Sequence, residues 1–474
     1  SDLCEVSMGR SIELSATEIR NKIGHPIIDG DGHVVETPIV LLDYVKQIAG
    51  SEVAARYENM GPWFRKREFK EIFWGMPSGP NSIDRATAML PQLYAERLEE
   101  AGIDFGIVYS TAILPLMHQR VDELRQVGHR ALNTMLADMF RDVSHKLAPS
   151  AGIPMFTPEE ALDELEYVVK ELGFKAATFG TEIRVPPKKV SEVSEELGDY
   201  IIDIFPVALD AHRDYDPVWQ KCLELKIPVA SHTGARGTLG YRSSPSNYVF
   251  NHLGGFAEAG NYFCRCLFLG GVTRRFPGLN FSFLEGGVGW ASQLYNDLVE
   301  HWEKRNVNFL CENLDPSRLD LELLGDMAEK YGGGLLTPEK VKAQPKGSRM
   351  GGVISDLEID EFKACEISSV EEIADLFSVP FYFGCEADDR LNAVAFDKRL
   401  NHFDVELKAM FGSDIGHWDV PDMTKCVPDA YQMVENGLMS EGNFRDFMLT
   451  NPAEFFTRQN PEFFKGTALE GYKI

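Results

Sequence analysis

An aspartate and a histidine alternate at the end of the first apolar run of the chain, Ile27-Ile28-Asp29-Gly30-Asp31-Gly32-His33. Because side chains alternate along a β-strand, Asp29, Asp31 and His33 are expected on one face, with the last two about 6 to 7 Å apart at Cα. That spacing suits two ligands of one divalent ion, which would also neutralise a buried carboxylate. A glycine- and aspartate-rich turn with a capping histidine is the structural alternative.

Three later apolar runs are each followed by a residue that can bind a metal. These are His232 after the run 227–231, Glu285 after 280–284, and Asp414, preceded by Ser413, after 408–412. Taken singly, they can be a core histidine, an acid at a helix start and a helix N-cap. Their recurrence at the same place in successive units predicts that these strand ends meet at one site.

Short apolar runs alternate with amphipathic stretches along most of the chain. The runs are 26–29, 105–110, 146–153, 175–179, 227–231, 280–284, 380–384 and 408–412. Stretches of helical character include 158–173, 217–226, 257–276, 289–304 and 369–377. This alternation indicates parallel βαβ units, and eight of them predict an α/β fold of the (β/α)8 TIM-like barrel type. A doubly wound open sheet is the alternative, but no GxGxxG turn follows the first run.

We expect one barrel over residues 26–455, with an N-terminal extension at 1–25 and a C-terminal tail at 456–474. Two segments interrupt the alternation and are interpreted as insertions, one at about 51–92 and one at about 305–368. Either insertion can form a lid or line a pocket. The aromatic residues of the first insertion favour a bulky apolar substrate.

These blocks, in this order and spacing, resemble the amidohydrolase superfamily, in the branch of aminocarboxymuconate-semialdehyde and resorcylate decarboxylases. The resembling blocks are 27–33, Asp216-Pro217-Val218-Trp219 through Ser231-His232-Thr233-Gly234, Arg275-Phe276-Pro277-Gly278-Leu279 through Glu285-Gly286-Gly287, and Phe411-Gly412-Ser413-Asp414. The resemblance implies a (β/α)8 barrel with one or two divalent metals at its mouth. It also implies metal-binding roles for Asp31, His33, His232 and Asp414, and a proton-handling role for Asp414.

The chain departs from the decarboxylase relatives at the end of the sixth strand, where they carry a histidine and this sequence has Glu285. A glutamate there can bind or bridge a second metal, or act as a base. The expected ligands are then Asp31, His33, His232, Glu285 and Asp414, a set that suits zinc, iron or manganese. The bridging lysine of the family is not evident, since Lys175 begins its strand.

Further residues are predicted to support the site. His417 is expected to hold Asp414 or touch substrate, and His252, His212 and Trp418 are expected to bind substrate. Glu36 can reach the edge of the site. Glu386, Asp388 and Asp389 are interpreted mainly as caps and ion-pair partners.

A metal site with adjacent carboxylates predicts attack of activated water on the carbonyl carbon of an amide, ester, thioester or lactone, with Asp414 or Glu285 as base. Non-oxidative decarboxylation of an aromatic or unsaturated acid is the alternative; an anionic Glu285 opposes a carboxylate substrate unless two metals offset it. A non-catalytic ligand-binding barrel is a third alternative.

Composition disfavours several partner classes. The 474 residues carry 73 acidic and 47 basic side chains, a net charge of −26 that disfavours nucleic acid and anionic membranes.

No apolar run approaches 18 residues, and the N-terminal residues lack the order of a signal peptide, so we expect a cytoplasmic protein. The eight cysteines form no CxxC pair and are interpreted as reduced. A small-molecule substrate and a homo-oligomer are expected.

Overall fold

The computed structural model describes residues 14–60, 75–194, 197, 201–233, 244–343 and 359–473. Its central feature is a sheet of eight strands in which every neighbouring pair is parallel. In chain order the strands are β1 Ile28–Val34, β2 Phe105–Ser110, β3 Leu147–Ile153, β4 Ala176–Phe179, β5 Val229–Ser231, β6 Phe281–Phe283, β7 Phe381–Glu386 and β8 Lys408–Gly412. Each of the eight runs predicted from the sequence overlaps one of these strands.

Backbone hydrogen bonds join the last strand to the first and close the sheet into a barrel. The Asp414 amide donates to the Asp31 carbonyl at 2.8 Å, and the His33 amide donates to the Ile415 carbonyl at 2.8 Å. The predicted (β/α)8 barrel is therefore confirmed. The carboxyl ends of all eight strands lie at one mouth, where such barrels carry their active sites.

Helices connect the strands and cover the barrel. In chain order the α-helices are Ala16–Ile23, Pro38–Glu58, Ser82–Met89, Pro91–Arg97, Ile113–Leu116, Asp122–Phe140, Pro158–Lys170, Lys188–Val193, Asp216–Leu225, Tyr248–His252, Gly255–Leu269, Val272–Arg275, Gly289–Arg305, Val307–Phe309, Leu321–Tyr331, Pro338–Ala343, Glu372–Ser378, Cys426–Glu435, Glu441–Arg445 and Asn451–Thr457. The predicted helical stretches coincide with these elements. One example shows the local cause: Thr157 caps the helix Pro158–Lys170 by accepting from the Glu160 amide.

The segment after the last helix closes the opposite end of the barrel. Phe463 and Phe464 are buried there together with Leu469. Phe463 stacks on Phe456 with ring centroids 4.3 Å apart, and Phe464 lies 5.4 Å from Phe105, the first residue of β2. The residues predicted as a C-terminal tail thus pack into the core beneath the strands.

One element was not anticipated. Glu182–Val185 and Asp203–Pro206 form an antiparallel two-stranded hairpin that follows β4. It extends the loop at the carboxyl end of β4, on the same side of the barrel as the candidate metal-binding residues at the strand ends.

The two predicted insertions are described only in part. The aromatic stretch of the first insertion, residues 61–74, lies outside the described residues, as do residues 344–358 of the second. In the described parts, the first insertion begins within the helix Pro38–Glu58, and the second contains the helices Leu321–Tyr331 and Pro338–Ala343. The predicted domain limits, including the extension at 1–25, stay predictions.

The structure bears on two further expectations, the absence of a membrane span and the reduced state of the cysteines. Among the described residues, no helix combines the length and apolar character needed to cross a membrane. The seven cysteines of the described part are free thiols, and all but Cys311 are buried.

Candidate metal centre

Four predicted strand-end residues meet at the mouth of the barrel. His33 lies near the end of β1, His232 directly follows β5, Glu285 lies two residues after β6, and Asp414 two residues after β8. Asp31, His33 and His232 offer ligand atoms within 4.8 Å of one another. A second set with the same spacing consists of His33, Glu285, Asp414 and His417. The two sets share His33.

Contacts between individual atoms define the centre. The Nε2 atom of His33 lies 3.0 Å from Oδ1 of Asp414 and 3.4 Å from Oδ1 of Asp31. The Nε2 atom of His232 lies 3.5 Å from Oδ1 of Asp31 and 3.3 Å from Oε2 of Glu285. The two imidazoles therefore alternate with three carboxylates around one small volume.

Burial makes this arrangement costly without a cation. The side chains of His33, His232 and Glu285 are only 1 to 3% exposed. Several of the centre's buried atoms make no hydrogen bond among the described residues: Asp31 Oδ1, both ring nitrogens of His33 and His232, Glu285 Oε2, and both Asp414 oxygens. Since buried polar atoms are normally satisfied, these unpartnered donor atoms fit a bound divalent metal.

Two of the carboxylates sit on unusual backbone. Glu285 has φ 59° and Asp414 has φ 52°, the left-handed region that residues with a Cβ rarely adopt. Such conformations persist where the surrounding structure enforces them, and they cluster at functional sites. Here they turn the chain directly after β6 and β8.

The electrostatics of the centre follow from burial and crowded charge. Burial, followed by the neighbouring His417 and His232, holds the pKa of His33 well below its usual value, so its imidazole is neutral and able to bind a metal. Burial, and then the charges of Asp414 and Asp31, raise the pKa of Glu285 well above that of a free glutamate. A divalent ion reverses this preference by stabilising the charged carboxylate.

His417 lies beside the centre and contacts it through its Nδ1 atom and the face of its ring, while its Nε2 atom contacts Thr111. Its Nδ1 atom lies 2.6 Å from Oδ1 of Asp414, and its Nε2 atom lies 3.3 Å from Oγ1 of Thr111. Its ring stacks on His33 with centroids 3.7 Å apart. The predicted role of holding Asp414 agrees with these contacts.

Asp29 does not join the other two residues of its motif. The pairing of β1 with β2 shifts register between Asp29 and Gly32. The Asp29 carboxylate instead accepts hydrogen bonds from the backbone amide and hydroxyl of Ser413, at 2.9 and 2.5 Å. The expected common face therefore holds for Asp31 and His33, while Asp29 ties β1 to the loop after β8.

Aromatic rings line one side of the centre. Phe256 lies 5.2 Å from the ring of His232, and His252 lies 6.2 Å from Phe256. Trp418 lies 5.5 Å from His252. Two of the three predicted substrate residues are thus brought together here. The third, His212, packs against Phe205 of the hairpin with ring centroids 3.5 Å apart.

Of the remaining predicted residues, Glu36 and Asp389 make structural hydrogen bonds, whereas Glu386 lies beside the candidate site. Glu36 accepts a hydrogen bond from the Ala112 amide at 3.0 Å, and Asp389 caps the following turn at Leu391 as expected. Glu386, interpreted as a cap, instead offers a ligand atom within 4.8 Å of those of Glu285 and Asp419.

Sequence reasoning gave no role to three residues near the centre. Asp419 and Phe256 are two of them, and the third is Tyr109 of β2, which is buried 5.9 Å from His232. The position of Tyr109 near the end of a predicted strand was the signal available for it.

Comparison with known proteins agrees with this architecture. A family model described as amidohydrolase matches residues 83–313. A crystal structure of a 2,6-dihydroxybenzoate decarboxylase complexed with 2,6-dihydroxybenzoate has a TM-score of 0.50 and 14% identity, covering 91% of this chain and 99% of that one. An amidohydrolase from Mycobacterium avium subsp. paratuberculosis K-10 has a TM-score of 0.50 and 16% identity, with 91% and 99% covered. No curated protein sequence matches the chain at a significant level.

The barrel and the residues at its strand ends, which could hold a metal, are typical of an enzyme with its site at the carboxyl ends of the strands. The family match confirms the resemblance found in the sequence. Over residues 83–313 the chain is similar to the amidohydrolases.

Proposed function

We propose that this enzyme hydrolyses a carbonyl compound such as an ester, thioester, lactone or amide, with Asp414 as the general base. The observation that carries the proposal is the meeting of three buried carboxylates with two histidines, Asp31, Glu285 and Asp414 with His33 and His232. A divalent ion bound by these residues supplies Lewis acidity, which acidifies water and stabilises negative charge on a carbonyl oxygen.

Asp414 is suited to accept a proton. Its Oδ1 atom is engaged by His33 and His417, at 3.0 and 2.6 Å. Its Oδ2 atom is buried without a hydrogen bond to any described residue. An attacking water can therefore deliver its proton to Oδ2, while His417 holds the carboxylate in place.

The charge of the site favours a neutral substrate. Three carboxylates oppose the entry of a carboxylate anion, and Glu285 stands where the family resemblance implies a histidine in the decarboxylases. The aromatic side of the site, with Phe256 beside His232, favours an apolar group next to the reacting carbonyl. These two features together support hydrolysis of a neutral apolar molecule.

Decarboxylation of an aromatic acid is the second candidate. The observation that favours it is the structure of similar fold that is a decarboxylase bound to 2,6-dihydroxybenzoate. The named activities among the compared structures favour this candidate more than hydrolysis. The acidity of the site is the reason for placing hydrolysis first.

Isotope labelling separates the two reactions. The protein, loaded with zinc or manganese, is incubated with aryl esters, thioesters and lactones in H₂¹⁸O, and with hydroxybenzoates in D₂O. Hydrolysis incorporates one ¹⁸O into the acid product, and Asp414→Asn should lower its rate at least 100-fold. Release of CO₂ with deuterium at the ring carbon, and no ester cleavage, would contradict the proposal and support decarboxylation.

A matched control excludes contaminating esterases. His301→Ala changes an exposed histidine on the helix Gly289–Arg305, whose ring contacts the Asp297 carbonyl and, in the described contacts, no residue of the centre. This variant should keep the full rate. Equal rates for the Asp414→Asn variant and the wild type would show that the activity does not come from this site.

A further inference from the structure

A cavity opens at the amino ends of the strands, on the opposite side of the barrel from the candidate metal centre. It has a volume of about 510 Å³ and lies beside Phe105 and Leu147, the first residues of β2 and β3. The helices Asp122–Phe140 and Pro158–Lys170 end beside it, and the C-terminal segment 463–467 supplies another wall. None of the candidate metal ligands lines the cavity. Its volume is typical of a small-molecule site, separate from the metal centre.

The inner wall of the cavity is apolar. Its buried hydrophobic side chains, each no more than 6% exposed, are Phe105, Phe140, Leu147, Phe174 and Phe463. Between them β3 is incompletely covered, since Ala148 and Pro149 are only partly buried. In the other seven strands, partial burial is confined to the last residue of β7 and the first of β8. Parallel strands are normally covered on both faces, so the wall of the barrel is accessible to a ligand here.

One ammonium group stands at the edge of this apolar wall. Lys175 directly precedes β4, and its Nζ atom donates to the Phe463 carbonyl at 2.9 Å and to the Lys465 carbonyl at 3.1 Å. An ammonium group has three N–H donors, so these two bonds leave one donor for another acceptor. Partial burial also lowers the pKa of Lys175. An anion beside Lys175 would offset this loss of hydration.

The other charged side chains around the cavity are arranged differently. Arg141 pairs with Asp138, and Lys465 pairs with Glu462 at 3.2 Å. In the described part of the chain, Lys175 has no carboxylate oxygen within ion-pair distance, and its partners are the two carbonyls. Among the charged residues of the lining, three are basic and two are acidic. The lining is therefore slightly positive on a chain whose net charge is −26, which favours one negative charge in a ligand.

We propose that this cavity binds a small amphipathic carboxylate, with its apolar body against β3 and its carboxylate on Lys175. The exposed surface of Ala148 and Pro149 would be covered by the apolar body. One ammonium donor matches a carboxylate, whereas phosphate groups are usually held by several donors or by a paired guanidinium. A neutral molecule of the same shape would cover the wall and leave Lys175 without its anion. The site thus selects by charge as well as by shape.

Binding of a fluorinated acid tests the proposal. Ligand-observed ¹⁹F NMR follows 4-(trifluoromethyl)benzoate and its neutral counterpart 4-(trifluoromethyl)benzamide. The wild type should bind the benzoate about tenfold more tightly than the benzamide, and Lys175→Gln should remove this preference. Ala137 lines the cavity near the end of the helix Asp122–Phe140 and is partly exposed. Ala137→Trp should fill the cavity and abolish the binding of both probes there.

A second series separates the cavity from the metal centre. The same titrations are repeated with metal-free His232→Ala protein, in which the centre can offer no metal to a carboxylate. The effects of Lys175→Gln and Ala137→Trp should be unchanged in this background. Equal binding with and without Ala137→Trp in this background, or no binding of the benzoate at millimolar concentration, would overturn the proposal.

Control variants keep the test specific. Lys170→Gln removes a cation whose side chain is 56% exposed, on the helix that ends beside the cavity, and should bind both probes as the wild type does. Lys175→Arg keeps the charge and should keep the preference for the acid. Thermal melting of each variant verifies folding. Because the readout is binding at the far end of the barrel, a failure here is distinct from a failure of the proposed hydrolysis.

Discussion

His417 holds Asp414 in place from a position three residues further along the chain, with its Nδ1 atom 2.6 Å from the carboxylate Oδ1. The ring also lies flat against His33, at 3.7 Å between centroids. Burial, followed by the nearby His232, lowers the pKa of His417 to about 4. The ring is therefore neutral at pH 7, so its close contact with the carboxylate is not an attraction between two full charges.

Replacement of His417 should weaken metal binding without unfolding the protein. His417→Ala removes the contact that fixes Asp414, and outer partners of this kind affect metal affinity by about 10- to 100-fold. Competition with a chromogenic chelator measures the change. Thr111→Val breaks only the contact at Nε2, which is 3.3 Å long, and should have a smaller effect. Equal affinities in the wild type and the His417 variant would show that Asp414 is fixed without it.

Metal should stabilise the fold through His232. At a free concentration 100 times the dissociation constant, a bound ion adds about 2.7 kcal/mol to the free energy of unfolding. Differential scanning fluorimetry with Zn²⁺ should show this as a higher Tm for the wild type. The shift should largely disappear in His232→Ala and persist in His402→Ala, a surface variant whose side chain is 42% exposed. An unchanged shift in His232→Ala would exclude His232 as a ligand.

Phe463 should contribute strongly to stability although it lies near the end of the sequence. It is 1% exposed and stacks on Phe456. Phe463→Ala should lower the free energy of unfolding by about 3 to 5 kcal/mol, as is typical of large cavities in a core. Urea denaturation measures this loss. Glu462→Ala, at a neighbouring side chain that is 72% exposed, is the control and should change stability little.

The buried His129 should make the fold sensitive to acid. Burial lowers its pKa to about 4, whereas the unfolded chain titrates near 6.5. Below about pH 6.5 the unfolded state therefore binds the proton first, and stability falls as the pH decreases towards 4. The lowered pKa of His129 reduces the free energy of unfolding at low pH by about 3 kcal/mol. Denaturation of His129→Gln between pH 4 and 7 should give a shallower slope than the wild type, and identical slopes would contradict the assignment.

The barrel was predictable because its strands are buried on both faces. Continuous apolar runs such as 105–110 identify such strands without any knowledge of their partners. The hairpin Glu182–Val185 with Asp203–Pro206 was missed for the opposite reason, since its strands are four residues long and carry charged side chains. The packing of Phe463 and Phe464 at the end of the barrel opposite the site depends on a contact with Phe105 of β2. The hydrophobic periodicity of the sequence cannot reveal such a contact between distant segments.

The residues of the candidate site that directly follow barrel strands could be predicted from the sequence, because the strands themselves could be. His33, His232, Glu285 and Asp414 sit within two residues of a strand end, so their convergence follows from the barrel. Asp419 lies on a loop and Phe256 on a helix. Tertiary packing decides where these two elements approach the site, so the sequence pattern did not identify either residue. The orientation of Asp29 also depends on an irregular pairing of β1 with β2, which the alternation rule does not contain.

The hydrogen bond from the Asp414 amide to the Asp31 carbonyl joins the two ends of the barrel beside the metal ligands. A half-formed chain that contains β1 but lacks β8 can present only part of the ligand set. If these residues bind a metal as proposed, tight metal uptake would report that the barrel has closed, and the ion would stabilise the contact between its first and last strands. During refolding, the metal could bind before or after the first and last strands pair. The concentration of free metal would then influence which of the two events comes first.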